Sequence, residues 1–99
     1  MRLPIGAETY TVTFKKKVVC DGEEVLGCCR YDQHAIEIDA TLAEGPMYLT
    51  LWHEIMHAVF HENGYERDAD SEAKVEAISH DIALIVLALT PPRKRAKKR

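Results

Sequence analysis

The chain has 99 residues, a length that supports one domain with a single hydrophobic core. Hydrophobic residues make up 46% and charged residues 29%, as in ordinary folded proteins, and we expect no signal segment ahead of the first elements. The net charge of −3 is unevenly distributed: residues 1–92 carry seven Lys and Arg against 16 Asp and Glu, a net charge of −9, whereas six of residues 93–99 are basic. The acidic body should therefore repel nucleic acid, and only the basic segment, residues 93–99, could attract it.

The first half of the chain predicts three β-strands. Residues 8–17 alternate β-branched or aromatic residues with polar ones, which is the pattern of a half-buried strand. The Asp-Gly pair at residues 21–22 indicates a turn, and residues 24–31 predict a second strand, weakened or bulged at Gly27, that forms a hairpin with the first. Residues 34–39 alternate apolar and acidic residues and predict a third, amphipathic strand.

The second half of the chain predicts two helices. Pro46 suits a first helical turn, and the apolar spacing that follows is helical as far as Gly64, a typical helix stop. Ser71 can cap a last helix that continues to Thr90, whose apolar second half we expect to be buried. The predicted fold is therefore α+β, with a three-stranded, mostly antiparallel sheet packed on two main helices in one domain over residues 1–92, followed by a basic disordered tail.

The cysteines give a weaker prediction. Cys20, Cys28 and Cys29 are odd in number and lack the regular spacing of a disulfide framework, so we expect ordinary buried or half-buried thiols in a reducing, cytoplasmic setting. A three-thiol zinc site is the alternative, although the CxxC spacing of structural zinc sites is missing.

A metal-binding motif lies inside the first predicted helix. The string His53-Glu54-Ile55-Met56-His57 is an HExxH pattern, in which two histidines one turn apart can reach the same zinc ion while the glutamate acts on a water molecule beside it. The same string can also occur by chance on a solvated helix face. The apolar residues on both sides of the motif favour the metal site, because polar groups at the edge of a core need partners.

A catalytic zinc usually has three protein ligands, so a third must come from elsewhere. His61 stands roughly 12 Å beyond His53 along an unbroken helix, which is too far for one ion. Glu72 and Glu76 share a face of the last helix, and Glu76 is the preferred ligand because Glu72 lies in the first turn, where an acidic residue also favours the helix dipole. His80, one turn further on, could orient a ligand or stabilise an oxyanion, or be a histidine at the edge of the core.

The chain resembles the small phage and prophage proteins grouped with the ImmA/IrrE family of gluzincin-like zinc metallopeptidases. The likeness covers about residues 8–91, and three segments carry it: RYD with IEID, LWHEIMHAVFHENG, and EAKVEAISHDIALIVLALTP. The chain departs from the larger members in two ways. We expect no helix-turn-helix or sensor domain, and AISHDIA stands where those members have the AN.FA pattern.

This resemblance implies a zincin-like domain that holds one Zn²⁺ per chain. The implied ligands are His53, His57 and Glu76, with Glu54 as general base and His80 as a further candidate catalytic residue. It also implies that the strand at residues 34–39 is the edge along which an extended peptide pairs.

Three functions follow as hypotheses. The first is a zinc-dependent metalloendopeptidase that cleaves a protein partner, such as a phage or stress-response regulator, in the cytoplasm (the host cytoplasm if the protein is phage-encoded). The second is a non-catalytic binding module that zinc stabilises, in which Glu54 has no essential role. The third is contact with nucleic acid through residues 93–99, whose lack of aromatic residues offers no base stacking. No membrane insertion is expected, because the apolar run of the last helix is far shorter than the ~20 residues a bilayer requires.

Overall fold

The computed structural model describes residues 1–91, and its α+β architecture with two main helices confirms the predicted class. The predicted domain end at residue 92 and the basic segment, residues 93–99, lie outside the described residues. A one-turn 3-10 helix at Tyr31–Gln33 separates β5 from β6. The strands and helices are, in chain order, β1 (Arg2–Ile5), β2 (Glu8–Lys15), β3 (Val18–Cys20), β4 (Glu23–Val25), β5 (Gly27–Arg30), β6 (Ala35–Asp39), α1 (Glu44–Glu62), α2 (Glu66–Ala69) and α3 (Glu72–Leu89).

The main sheet has four strands in the order β1-β2-β6-β5, so the predicted three-stranded sheet is wrong in strand number. It is also mixed, because β2 pairs with β6 in parallel while the pairs β1–β2 and β5–β6 are antiparallel. The parallel pair arises because the chain leaves β2, forms a separate hairpin and β5, and then returns beside β2 in its original direction.

The predicted hairpin between residues 8–17 and 24–31 is also wrong. The hairpin joins β3 to β4 in a two-stranded sheet of its own, and its turn has Asp21 at φ 53° and Gly22 at φ 81°. Two consecutive residues with positive φ are typical of the tight turn that suits the twist of a hairpin. The predicted second strand is therefore two strands, β4 and β5, which separate at Leu26 next to the glycine expected to weaken it.

The edge of the sheet differs from the prediction as well. Because β6 has β2 on one side and β5 on the other, residues 34–39 cannot be the edge strand. The edge next to the helices is β5, which pairs only with β6 in the four-stranded sheet.

The core lies between this sheet and α1. Tyr10, Ile36 and Ile38 are fully buried beneath α1, where Ala58 is also fully buried. The hydroxyl of Tyr10 donates a hydrogen bond of 2.7 Å to Glu62 Oε2 at the end of α1, which satisfies the polar end of an otherwise apolar side chain. This packing fixes α1 on the sheet, and α1 carries the HExxH motif.

The helix boundaries follow the predicted signals. Gly64 has φ 85° just after α1, and the Ser71 hydroxyl accepts a hydrogen bond of 3.3 Å from the Lys74 amide at the start of α3. The expectation that the second half of α3 is buried is wrong: after Ala83, which is fully buried, the large apolar residues of α3 are exposed. Helix α3 packs on α1 and α2, so an apolar run longer than this contact cannot all be covered. Among residues 1–91, no helix combines the length and apolar character required to cross a membrane.

The prediction of free thiols is wrong for two of the three cysteines. Cys20 and Cys28 form a disulfide that ties β3 to β5, with their Cα atoms 6.1 Å apart. The fold brings them together because the β3–β4 hairpin turns back onto β5, a long-range arrangement that the spacing of cysteines does not reveal. Cys29 stays free and half-buried, and burial raises the pKa of its thiol to about 12. Because two of the three cysteines form a disulfide, the cysteines no longer support a reducing compartment.

Candidate metal centre

The HExxH motif lies in a cleft of about 590 Å³ between α1 and the edge strand β5. One side, the helical wall, consists of residues from α1, α2 and the start of α3. The other side, the strand wall, runs from β3 through β5 to the 3-10 turn. The residues that line the helical wall are Leu49, Thr50, His53, Glu54, His57, Ala69, Asp70, Glu72 and Glu76, and those of the strand wall are Cys20, Val25, Leu26, Gly27, Cys28, Cys29 and Tyr31.

Helical periodicity brings the two histidines together as predicted. His53 and His57 are one turn apart on α1, and their Nε2 atoms are 3.2 Å from each other. His57 is buried, with 8% of its surface exposed, while His53 lies further out in the cleft.

The outer nitrogen of each imidazole faces an acceptor. Nδ1 of His57 is 2.7 Å from the Ala69 carbonyl oxygen, which can only accept, so a neutral ring with its proton on Nδ1 satisfies this contact. Nδ1 of His53 is 2.7 Å from Glu76 Oε1, which likewise accepts when ionised. A neutral ring that donates from Nδ1 to these partners presents the lone pair of Nε2 to the space between the histidines.

Glu72, rather than Glu76, supplies the third donor to this space. Its Oε1 is 3.0 Å from His53 Nε2 and its Oε2 is 3.2 Å from His57 Nε2. The predicted ligand Glu76 instead contacts the opposite nitrogen of His53, so this geometry groups Glu72, and not Glu76, with the two Nε2 atoms. The reason lies in the packing of α3, which runs antiparallel to α1 and places its first turn, not its second, opposite both imidazoles.

The donor set fits a divalent cation such as zinc. One atom from each of His53, His57 and Glu72 lies within 4.8 Å of the others, and all three are lone-pair donors when the histidines are neutral. Three such atoms facing one another repel unless a positive charge lies between them. Two imidazoles and one carboxylate are a ligand set that zinc takes in catalytic sites, where a fourth position is left for water or substrate. The three-thiol zinc site has lost two of its thiols to the disulfide.

Glu54 is the buried carboxyl group of the cleft, with 8% of its surface exposed. Desolvation by burial raises its pKa to about 7, an effect opposed by His53 and reinforced by the negative charge of Glu72. Gly27 of the strand wall packs directly on it: a Cβ at Gly27 would lie 3.0 Å from Glu54 Oε2 and 2.8 Å from the Thr50 methyl group. The glycine expected to weaken a strand thus permits close approach of β5 to the motif.

The two remaining histidine candidates lie away from the donor set. His61 stacks on Tyr31, with ring centroids 4.1 Å apart and an interplanar angle of 8°, in agreement with the expectation that it is too far along α1 to share the ion. His80 is exposed on α3 and does not line the cleft, so the structure does not bring this predicted catalytic residue to the site. The buried face of α3 here consists of Val75, Ser79 and Ala83, whereas His80 lies on the exposed side of the helix.

Sequence reasoning missed two groups that hold the inner histidine. The Ala69 carbonyl is a backbone group at the end of α2, a helical turn between the two predicted helices, and no side-chain pattern marks it. The Tyr31 hydroxyl is 3.4 Å from His57 Nδ1, and a tyrosine at the end of the predicted second strand was the available signal. Both lie on the side of His57 away from the donor set and restrict the orientation of its ring.

Comparison of the chain with protein-family models, with curated protein sequences and with solved structures finds no match.

Proposed function

We propose that this chain is a zinc-dependent metallopeptidase that hydrolyses a peptide bond in an extended segment of a protein partner. The observation that carries the proposal is the convergence of His53 Nε2, His57 Nε2 and a Glu72 carboxylate oxygen on one point, next to the buried carboxyl group of Glu54. A zinc ion held by these three residues supplies a Lewis acid that polarises a carbonyl group and acidifies a water molecule.

Glu54 has the environment expected of a general base. Its raised pKa, about 7, lies close to neutral pH, where a carboxylate can both accept and release a proton. We assign it the removal of a proton from the water that attacks the carbonyl carbon, and the return of that proton to the amine that leaves. Glu76 and the Ala69 carbonyl are not among the proposed ligands. They fix the ring orientation of His53 and His57 respectively.

The strand wall suggests how a substrate is held. Strand β5 is one of the two edge strands of the sheet and lines the cleft opposite the motif, so an extended peptide can pair with its backbone and pass over the histidines. We therefore assign the peptide-pairing edge to β5 in place of residues 34–39, because β6 has a neighbouring strand on each side.

The resemblance to the ImmA/IrrE peptidases supports the same proposal and adds a substrate class. We include in it that the partner is a regulatory protein of a phage or of a stress response. Within the motif shared by that family, the ligand role belongs here to Glu72, and Glu76 orients His53.

The decisive experiment compares the wild type with Glu54→Gln. Both proteins should bind one zinc per chain by metal analysis, because Glu54 is not among the three converging residues. Incubation with a random peptide library, read by mass spectrometry, should give cleavage with the wild type and a loss of at least ~100-fold with the variant.

Two results would contradict the proposal. A purified wild type that takes up no zinc removes the metal centre altogether. A zinc-loaded wild type that cleaves peptides no faster than Glu54→Gln supports the alternative of a non-catalytic module in which zinc only stabilises the fold.

A further inference from the structure

The last two turns of α3 form an exposed apolar surface that the proposed peptidase site does not use. We name it the apolar helix end and define it by its most exposed large residues, Leu84, Ile85, Leu87 and Leu89. Their exposed fractions are 49%, 56%, 58% and 78% respectively. At 100° per residue these four positions span roughly 200° of the helix circumference, about twice the minimum width of the apolar stripe by which a surface helix packs on a core.

The packing of α3 explains why this end projects from the body. The hydroxyl of Tyr48 donates a hydrogen bond of 3.0 Å to the Ala83 carbonyl oxygen, where the two antiparallel helices still touch. Helix α1 begins at Glu44, four residues before Tyr48, so its start lies opposite Leu87, four residues after Ala83. Beyond that point α3 has no residue of α1 beside it.

The distribution of charged residues along the sequence favours contact between this end of the chain and an anionic surface. The basic segment, residues 93–99, begins four residues after Leu89 and carries six Lys and Arg, whereas residues 1–92 carry a net charge of −9. An anionic surface therefore repels the body and attracts the chain just after the apolar helix end. The combination of exposed apolar side chains and a polybasic segment provides the two signals that peripheral membrane attachment requires.

We propose that the apolar helix end and the basic segment together dock on the surface of a membrane that contains anionic phospholipids. The apolar run is too short to span a bilayer, so the helix end enters only the interfacial layer. Glu76 of the metal centre precedes Leu89 by 13 residues of helix, which separates the cleft from the lipid by roughly 20 Å. The cleft remains accessible to a protein substrate while the chain is attached.

Co-sedimentation of the full chain with lipid vesicles tests this proposal. Vesicles of phosphatidylcholine mixed with phosphatidylglycerol should bind the wild type, binding should weaken as salt is added, and vesicles of phosphatidylcholine alone should bind it at least ~10-fold less. The double variant Leu84→Gln/Leu87→Gln and the triple variant Lys94→Gln/Lys97→Gln/Lys98→Gln should each reduce binding to the anionic vesicles by at least ~10-fold.

Matched controls separate these effects from general changes in polarity and charge. Tyr65→Gln removes another exposed apolar side chain, and Lys16→Gln/Lys17→Gln removes two exposed lysines elsewhere, so both variants should bind as the wild type does. Circular dichroism should show that each variant is folded, because the substituted residues among those the structure describes, Lys16, Lys17, Tyr65, Leu84 and Leu87, are exposed.

Three outcomes would overturn the proposal. The first is a wild type that binds neither kind of vesicle. The second is self-association, measured by light scattering, that Leu84→Gln/Leu87→Gln abolishes while vesicle binding is absent, which assigns the surface to a second copy of the chain. The third is binding to duplex DNA that depends on the basic segment, with no vesicle binding and no effect of the leucine substitutions.

Discussion

The two walls of the cleft differ in what they contribute and in how they are built. The helical wall provides every group of the proposed chemistry, namely the two histidines, the buried Glu54 and the acidic pair at the start of α3. The strand wall provides shape, through an edge strand, a glycine against the base and a disulfide that holds the neighbouring hairpin. Substitutions in the helical wall should therefore change metal affinity and the rate of peptide cleavage, whereas substitutions in the strand wall should change stability and the position of Glu54.

The largest effect is expected within the helical wall, between its two glutamates. Glu72→Ala removes a proposed zinc ligand and should lower zinc affinity by more than ~100-fold, while Glu76→Ala removes only the partner of His53 Nδ1 and should lower it about 10- to 100-fold. Competition with a chromophoric chelator measures both affinities.

Glu66→Ala serves as the control for this pair, because it removes an exposed acidic residue of the neighbouring α2. Its zinc affinity should equal that of the wild type. If Glu76→Ala loses more zinc affinity than Glu72→Ala, the ligand assignment is reversed and the preference drawn from the sequence is restored.

Zinc itself should stabilise the fold through the same wall. Free zinc at 100-fold over its dissociation constant contributes about 2.7 kcal/mol, which corresponds to a rise in Tm of about 10 °C or more for a domain of this size. Thermal unfolding with zinc and with a chelator measures the shift. His57→Ala should abolish it, and an equal shift in that variant would show that zinc binds elsewhere.

The disulfide gives the largest effect expected from the strand wall. Cys20 and Cys28 are separated by 8 residues in the sequence, and closing a loop of that size contributes roughly 2.5 kcal/mol. Cys20→Ser should therefore lower the free energy of unfolding by about that amount, measured in urea without reductant. Wild type with reductant is the matched control and should lose the same amount. Alkylation of three thiols in the denatured, non-reduced chain would show instead that the bond is absent.

Gly27→Ala tests the contact between the walls. The added methyl group would meet the Thr50 methyl at 2.8 Å and Glu54 Oε2 at 3.0 Å, so we expect a loss of about 1–2 kcal/mol in stability together with slower peptide cleavage. Gly45→Ala is the control, because nothing lies within 4 Å of a Cβ at that position. Adding Thr50→Ser to Gly27→Ala removes the nearest atom and should restore part of both losses. If the double variant loses as much stability and activity as Gly27→Ala alone, the close approach of β5 to α1 has no effect on Glu54.

The difference between the walls also explains what the sequence could predict. The helical wall is largely local: the spacing of His53 and His57, the glycine after α1 and the Ser71 cap each act over a few residues, and all three are present as predicted. The choice between Glu72 and Glu76 is not local, because it requires the register of α3 on α1. A short connection between antiparallel helices brings the residues nearest the loop together, which pairs Glu72 with His57 and Glu76 with His53.

The strand wall depends instead on long-range pairing. Short strands such as β1 and β3 carry little periodic signal, and nothing in residues 24–31 indicates that β4 pairs with β3 while β5 joins β6. The exposure of the apolar helix end has a similar origin, since a run of leucines specifies a helix but not the length of the helix beside it.

The smallest expected effect concerns the ion pair behind the strand wall. Arg30 of β5 donates to Glu37 Oε1 of β6 at 3.0 Å and also to the Val19 carbonyl of β3 at 2.7 Å, so it joins three strands. The hydrogen bond from Arg30, with further help from its charge and from Lys15, holds the pKa of Glu37 below its usual value.

A depressed pKa in the folded state means that this pair stabilises the fold above the unfolded pKa of glutamate, and that the contribution is lost as pH falls through the lower folded value. Glu37→Gln should therefore cost about 1 kcal/mol at neutral pH, and the difference from the wild type should disappear in acid. Urea unfolding at a series of pH values measures this, with Glu24→Gln, an exposed carboxyl on β4, as the control. A constant difference at all pH values would mean that Glu37 acts through packing, and that charge does not tie the edge strand to its neighbour.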